Sequence, residues 1–149
     1  MTKIRVTKEF TFEMAHALWN YDGPCKNIHG HSYKLSTTVI GDPITEKSNK
    51  KYGMVIDFGD LKQIVKEKIV DRFDHSLVVC KNAPHHLLGN IEQMFDKYEV
   101  TPYQPTCENL VADFASILIP ELPAGVDLFS LKLFETESSF AEWFASDNL

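Results

Sequence analysis

Two stretches of two-residue alternation, 4 to 16 and 29 to 39, most constrain what this chain can become. In the first, Phe10, Phe12, Met14 and His16 share one parity while Thr11, Glu13 and Ala15 share the other. In the second, His29, His31, Tyr33, Leu35, Thr37 and Val39 stand against the polar Ser32, Lys34, Ser36 and Thr38. Successive strand side chains point to opposite faces, so each stretch reads as a strand with one buried side. Both apolar rows contain histidine, which carries imidazoles onto the inward face.

After a turn at Asp42-Pro43 and a polar run from Glu46 to Tyr52, Asp57 can cap a helix reaching about Arg72. Its inward face would carry Leu61, Ile64, Val65 and Ile69, with Phe73 just beyond. Pro105-Thr106 offers a second N-cap, followed by Leu110, Val111, Phe114, Ala115 and Leu118 at helical spacing and a stop at Pro120. Phe129, Leu131, Leu133 and Glu135 share a parity, and a polar turn at Glu137-Ser138-Ser139 leads into Phe140 to Ala145, a closing hairpin. Between the helices, Leu87, Leu88, Ile91, Phe95 and Tyr98 lie between Pro84 and Pro102 and read as an extra short helix. The expected fold class is α+β: an antiparallel four-stranded sheet with two helices on one face, in the order ββααββ, as one domain over residues 1–149.

The net charge of −6 comes without a basic stretch, so the footprint of a nucleic-acid binder is missing. No run approaches the roughly 18 apolar residues that span a bilayer, so neither membrane insertion nor secretion is expected. The three cysteines, Cys25, Cys80 and Cys107, form no CxxC pair. Free thiols in a reducing cytoplasm are expected.

His29 and His31 sit two apart on a strand, about 7 Å along one face, where two imidazoles can converge on one ion. His16 can supply a third from the neighbouring strand. Three neutral imidazoles leave a tetrahedral zinc one open position, the arrangement of a catalytic site. The bland alternative is three unrelated histidines satisfied by hydrogen bonds; their common placement on inward rows favours the metal. A cupin site would need a Glu a few residues after the second His, where Leu35 and Ser36 stand instead.

Cys25 lies four residues before His29 in the polar loop Gly23-Pro24-Cys25-Lys26-Asn27, where a nearby cation and Lys26 would favour the thiolate, a general base. Cys80 and Cys107 read as buried filler. Asp74-His75 is either a proton-carrying dyad or a helix C-terminal cap beside a solvated carboxylate. Glu135 ends an inward row and needs a donor, be it a ligand or a salt-bridge partner. Glu108, near a helix start, is equally explained by the helix dipole. His85 and His86 read as surface residues.

Taken together, Phe10-Thr-Phe-Glu-Met-Ala-His16, Cys25-x-x-x-His29-Gly-His31, Asp57-Phe58, Asp74-His75, Pro105-Thr106-x-Glu108-Asn109 and Glu135-Thr136 resemble the 6-pyruvoyltetrahydropterin and 6-carboxytetrahydropterin synthase family along nearly the whole chain. The resemblance implies the tunnelling fold, assembled as a homohexamer with active sites between subunits. It implies zinc on His16, His29 and His31, and proton transfer by Cys25 with Asp74 and His75, the latter two from a neighbouring subunit. It also implies a pterin anchored by Glu135 with further contacts from Thr106 and Glu108. The short spacer between Cys25 and His29 resembles the bacterial enzymes that turn 7,8-dihydroneopterin triphosphate into 6-carboxy-5,6,7,8-tetrahydropterin, acetaldehyde and triphosphate on the route to queuosine. The alternatives are a triphosphate-eliminating synthase of the pyruvoyl product and a non-catalytic pterin- or metal-binding protein. Two departures stand out: Phe73-Asp74-His75-Ser76-Leu77 in place of the family's Leu-Asp-His-x-x-Leu, and a long connection over 78–104.

Overall fold

The long alternating strands are where the sequence places them, and they pair with each other along their full length. In the computed structural model, which describes residues 2–148, β1 (Ile4–His16) and β2 (His29–Gly41) run antiparallel from Ile4 opposite Gly41 to His16 opposite His29. Their shared inward face buries Phe12, Met14, Tyr33, Leu35 and Val39.

Helix α1 (Phe58–Val65) is capped by Asp57, whose carboxylate accepts from the Gly59 N–H. It continues through a π-helical turn at Lys66–Val70 into the last turn, α2 (Asp71–Phe73). After β3 (Ser76–Cys80), α3 (His85–Met94) and β4 (Tyr98–Thr101) comes α4 (Cys107–Leu118), with Thr106 accepting from the Asn109 N–H as its N-cap. The hairpin β5 (Val126–Phe134) and β6 (Phe140–Phe144) closes the chain. The core lies between the sheet and the helices α1, α2 and α4: Phe114 packs its ring 5.1 Å from that of Phe73 and 6.3 Å from that of Phe12.

The expected four-stranded antiparallel sheet is corrected here. The sheet has six strands in the order β4-β3-β1-β2-β5-β6; the antiparallel β1-β2-β5-β6 is as read, but β3 and β4 add two parallel strands beyond β1. They come from the long connection, in which α3 is the short helix read there while Tyr98 opens a strand instead of ending the helix. Ser76–Cys80 is buried at every position, so it offers no alternation to detect, the usual pattern of a strand covered on both faces. Val78 faces the main core, whereas Leu77 and Val79 pack with Leu88 of α3 and with Ala15. Helices therefore cover both faces of the sheet at the β3 edge, not one.

A second correction concerns Phe129. The pairing of β5 with β2 shifts between Thr38 and Val39, so that Ser130 opposes Thr38 while Leu128 opposes Val39. Phe129 is the extra residue, and the bulge turns it off the buried face. It meets Arg5 and Phe144 while Val126, Leu128, Leu131 and Leu133 fill the core. Among the described residues no helix is long and apolar enough to cross a membrane.

Candidate active site

The β1–β2 register fixes the histidines. His16 and His29 are direct cross-strand partners, and His31 stands opposite Met14, one inward position along. The three rings face the same side, with ligand atoms within 4.8 Å of one another and His16 fully buried.

Their hydrogen bonds fix which nitrogen is free. His16 Nδ1 donates to the Pro105 carbonyl at 2.7 Å, and His29 Nδ1 donates to the Asn27 carbonyl at 2.7 Å. A carbonyl can only accept, so both Nδ1 atoms carry the proton and a neutral ring is left with its Nε2 lone pair exposed. Those two Nε2 atoms are 3.0 Å apart, and His31 Nε2 is buried without a hydrogen-bond partner. Lone pairs gathered in this way repel unless a cation lies among them. Burial pushes the His16 pKa down, helped by the neighbouring imidazoles and opposed by the Pro105 bond, which favours the neutral, ligating form. The donor set therefore fits a divalent metal.

Glu135 follows directly on β5, its N–H donating to the Ser139 carbonyl at 3.0 Å. Its Oε1 reaches 3.6 Å from His16 Nε2 and 3.7 Å from His31 Nε2. No Lys or Arg pairs with it among the described residues. The carboxylate is half-buried at the edge of a cavity of about 310 Å³, lined among others by His16, Cys25, Thr106, Cys107, Glu108 and Glu135. Five of these six were singled out from sequence.

Cys25 sits in a 3-10 turn (Pro24–Lys26), and its carbonyl accepts from the Leu18 N–H at 2.9 Å, tying the loop to the end of β1. Thr106 serves as the α4 cap and also lines the cavity; Glu108, exposed in the first turn of α4, does the same. The loop before that cap positions His16 through Pro105, so one segment both caps the helix and orients a candidate ligand.

Asp74 and His75 lie elsewhere. Asp74 Oδ1 accepts from the Glu13 N–H at 2.8 Å, and the His75 N–H donates to the Glu13 carbonyl at 2.5 Å. Together they complete the β1 edge just before β3 begins pairing at Ser76. His75 takes a left-handed φ of 59°, and its exposed imidazole has Nδ1 3.0 Å from Asp74 Oδ1. It lines a second cavity, about 640 Å³, with Glu13, Ala15, Ile28, Phe95 and the candidate ligand His31. Within one chain, then, Cys25 and His75 open into different cavities. His85 and His86 are exposed on α3, as expected of surface residues.

Two residues of the site were not singled out by sequence. Cys107, read as filler, is buried and donates to the Leu133 carbonyl, yet it lines the cavity; burial pushes its thiol up to about 11. Tyr33 lies fully buried beneath the histidines, its ring edge-on to His31 at 5.6 Å and to His16 at 6.3 Å. Its parity with His29 and His31 was the available signal.

Comparison with known proteins matches residues 5–145 to the family model described as 6-pyruvoyl tetrahydropterin synthase. The 6-carboxy-5,6,7,8-tetrahydropterin synthase of Haemophilus influenzae is 36% identical over 141 residues, covering 93% of this chain and 97% of that protein. The protein of the same name from Rickettsia felis is 31% identical over 142 residues, covering 93% and 99%. Among solved structures, the 6-pyruvoyl tetrahydropterin synthase of Caenorhabditis elegans superposes with a TM-score of 0.69 over 97% of both chains at 20% identity, a likeness of fold.

Proposed function

The chain belongs to the 6-pyruvoyl tetrahydropterin synthase family, and from that premise we propose that it is a metal-dependent 6-carboxy-5,6,7,8-tetrahydropterin synthase acting on 7,8-dihydroneopterin triphosphate. The observation that carries this reading is the gathering of three imidazoles with ligand atoms within 4.8 Å of one another, with the Glu135 carboxylate 3.6–3.7 Å from two of them and Cys25 lining the cavity that His16 and Glu135 line.

His16, His29 and His31 would hold zinc, which when bound polarises the oxygens of the substrate side chain and acidifies the adjoining C–H and O–H bonds. Glu135 binds and orients: its two oxygens accept the parallel ring N–H and 2-amino hydrogens of a pterin, supplying the donors its half-buried charge lacks. Thr106 and Glu108 line the same cavity as further contacts. Cys25 Sγ, at the mouth of the loop before β2, takes the side-chain proton. Cleavage of the side chain leaves a one-carbon carboxylate on the ring and releases acetaldehyde and triphosphate; the added carboxylate oxygen comes from water.

Asp74 and His75 enter this scheme from a neighbouring subunit. Their separation from Cys25 within one chain supports an oligomer with sites between subunits, and the homohexamer is the assembly we propose. The three free cysteines support a cytoplasmic setting.

The test is to incubate zinc-loaded protein with dihydroneopterin triphosphate and follow pterin and acetaldehyde by mass spectrometry. Acetaldehyde with carboxytetrahydropterin supports the assignment. Pyruvoyl product would reassign the chain to triphosphate elimination, and absence of turnover would leave a pterin- or metal-binding role.

A further inference from the structure

Two side chains of the site carry a buried polar atom without a hydrogen-bond partner, His31 at Nε2 and Tyr33 at its hydroxyl. A bound cation accounts for the first. It does not account for the second, because a phenol that keeps its proton is a donor in search of an acceptor.

Nothing about packing explains the hydroxyl either. The ring stacks on Phe12 at 5.3 Å with planes 7° apart and stands edge-on to two imidazoles, contacts that phenylalanine would make equally well. A fully buried hydroxyl left unpaired is destabilising, so its presence calls for a partner in the working state. Tyr33 and Glu135 share the same two neighbours: the Tyr33 ring stands edge-on to His16 and His31, and Glu135 Oε1 lies 3.6 and 3.7 Å from the Nε2 atoms of those histidines. Glu135 has no Lys or Arg of its own among the described residues, and the His16 Nε2 that faces it carries a lone pair, not a proton.

We propose that Tyr33 is a positioning residue for ligand recognition: its hydroxyl donates to an inward lone pair of the Glu135 carboxylate and holds both oxygens toward the pterin's N–H pair. A carboxylate has about four acceptor sites, so the bond from Tyr33 and the two from the ring are compatible. This rests on the pterin reading above and adds to it a buried residue that never touches the ligand.

The experiment compares zinc-loaded wild type, Tyr33→Phe, Glu135→Gln and the double variant. It measures the Kd for 7,8-dihydroneopterin by fluorescence titration, steady-state kinetics with the triphosphate, zinc content and Tm. Tyr33→Phe should weaken dihydroneopterin binding roughly tenfold, raising KM while kcat stays within about twofold. Zinc content should be unchanged and Tm equal to or above wild type. In the Glu135→Gln background the same substitution should change Kd by less than about twofold, since the two residues act as one unit. Wild-type affinity in Tyr33→Phe, an equal loss in both backgrounds, or a fall in Tm would overturn the positioning role alone. Failure of the wild type itself to bind dihydroneopterin would overturn the pterin reading and this inference with it.

Discussion

His16 and His29 face each other across β1 and β2 with their Nε2 atoms 3.0 Å apart, each having committed its Nδ1 proton to a backbone carbonyl. Two acceptors cannot satisfy each other, so the site stores a repulsion that a divalent cation relieves. Adding zinc to chelator-stripped protein should raise Tm, by an amount corresponding to about 4 kcal/mol at a free concentration a thousandfold above Kd. His29→Ala should bind far less zinc and lose most of that rise, as read by scanning calorimetry and metal analysis.

Cys25 lines the cavity but is not needed to build it: its turn is held by backbone bonds. Cys25→Ala should keep its zinc and its affinity for dihydroneopterin, with turnover reduced roughly 10²- to 10⁴-fold, the usual contribution of a general base. A variant that also lost zinc would assign the thiol to the metal instead.

Because Cys25 and His75 open into different cavities of one chain, Cys25→Ala and His75→Ala should complement each other. Each homo-oligomer should be nearly inactive, whereas oligomers refolded from a mixture should regain part of the wild-type rate. No recovery on mixing would mean that both residues serve the site of their own chain.

Asp74 gives the protein part of its acid sensitivity. Burial would raise its pKa, but the bonds from the Glu13 N–H and His75, with Lys97 nearby, outweigh it and hold the carboxyl below its ordinary 3.8. A folded-state pKa below the unfolded value means stability fully present above 3.8 and lost as the pH falls through the folded value. Asp74→Asn should therefore flatten the acid limb of a Tm-against-pH curve and leave the slope above about pH 5 unchanged.

Phe114 ties α4 to both Phe12 of the sheet and Phe73 of α2. Phe114→Ala should cost about 3–5 kcal/mol in denaturant unfolding. Thr106→Ala, which removes the cap of α4, should cost about 1 kcal/mol in the same unfolding measurement.

The antiparallel half of the sheet, both capped helices and the shared inward face of the three histidines are written in local pattern. Alternation fixes a strand's two faces, and Asp57 and Thr106 announce their helices because a side-chain oxygen next to free N–H groups acts within a few residues. The elements that stayed hidden have non-local causes. Ser76–Cys80 is a strand because α3 covers one face and the main core the other, which leaves an apolar run without a period. Phe129 leaves the core because β5 slips one residue against β2, a matter of pairing that one strand alone does not encode.

The candidate site divides in the same way. By itself the sequence determined which residue types were available and which would share a face: His16, His29 and His31 inward, Glu135 at the end of an inward row, Cys25 in the loop ahead of β2. Only the tertiary structure decided that Pro105 and Asn27 fix the histidine tautomers, that Tyr33 lies edge-on beneath His16 and His31, and that His75 is turned into another cavity than Cys25. Parity along a strand is set by backbone geometry within one segment, whereas these relationships join atoms far apart in the chain and exist only once the register and packing of whole elements have been chosen.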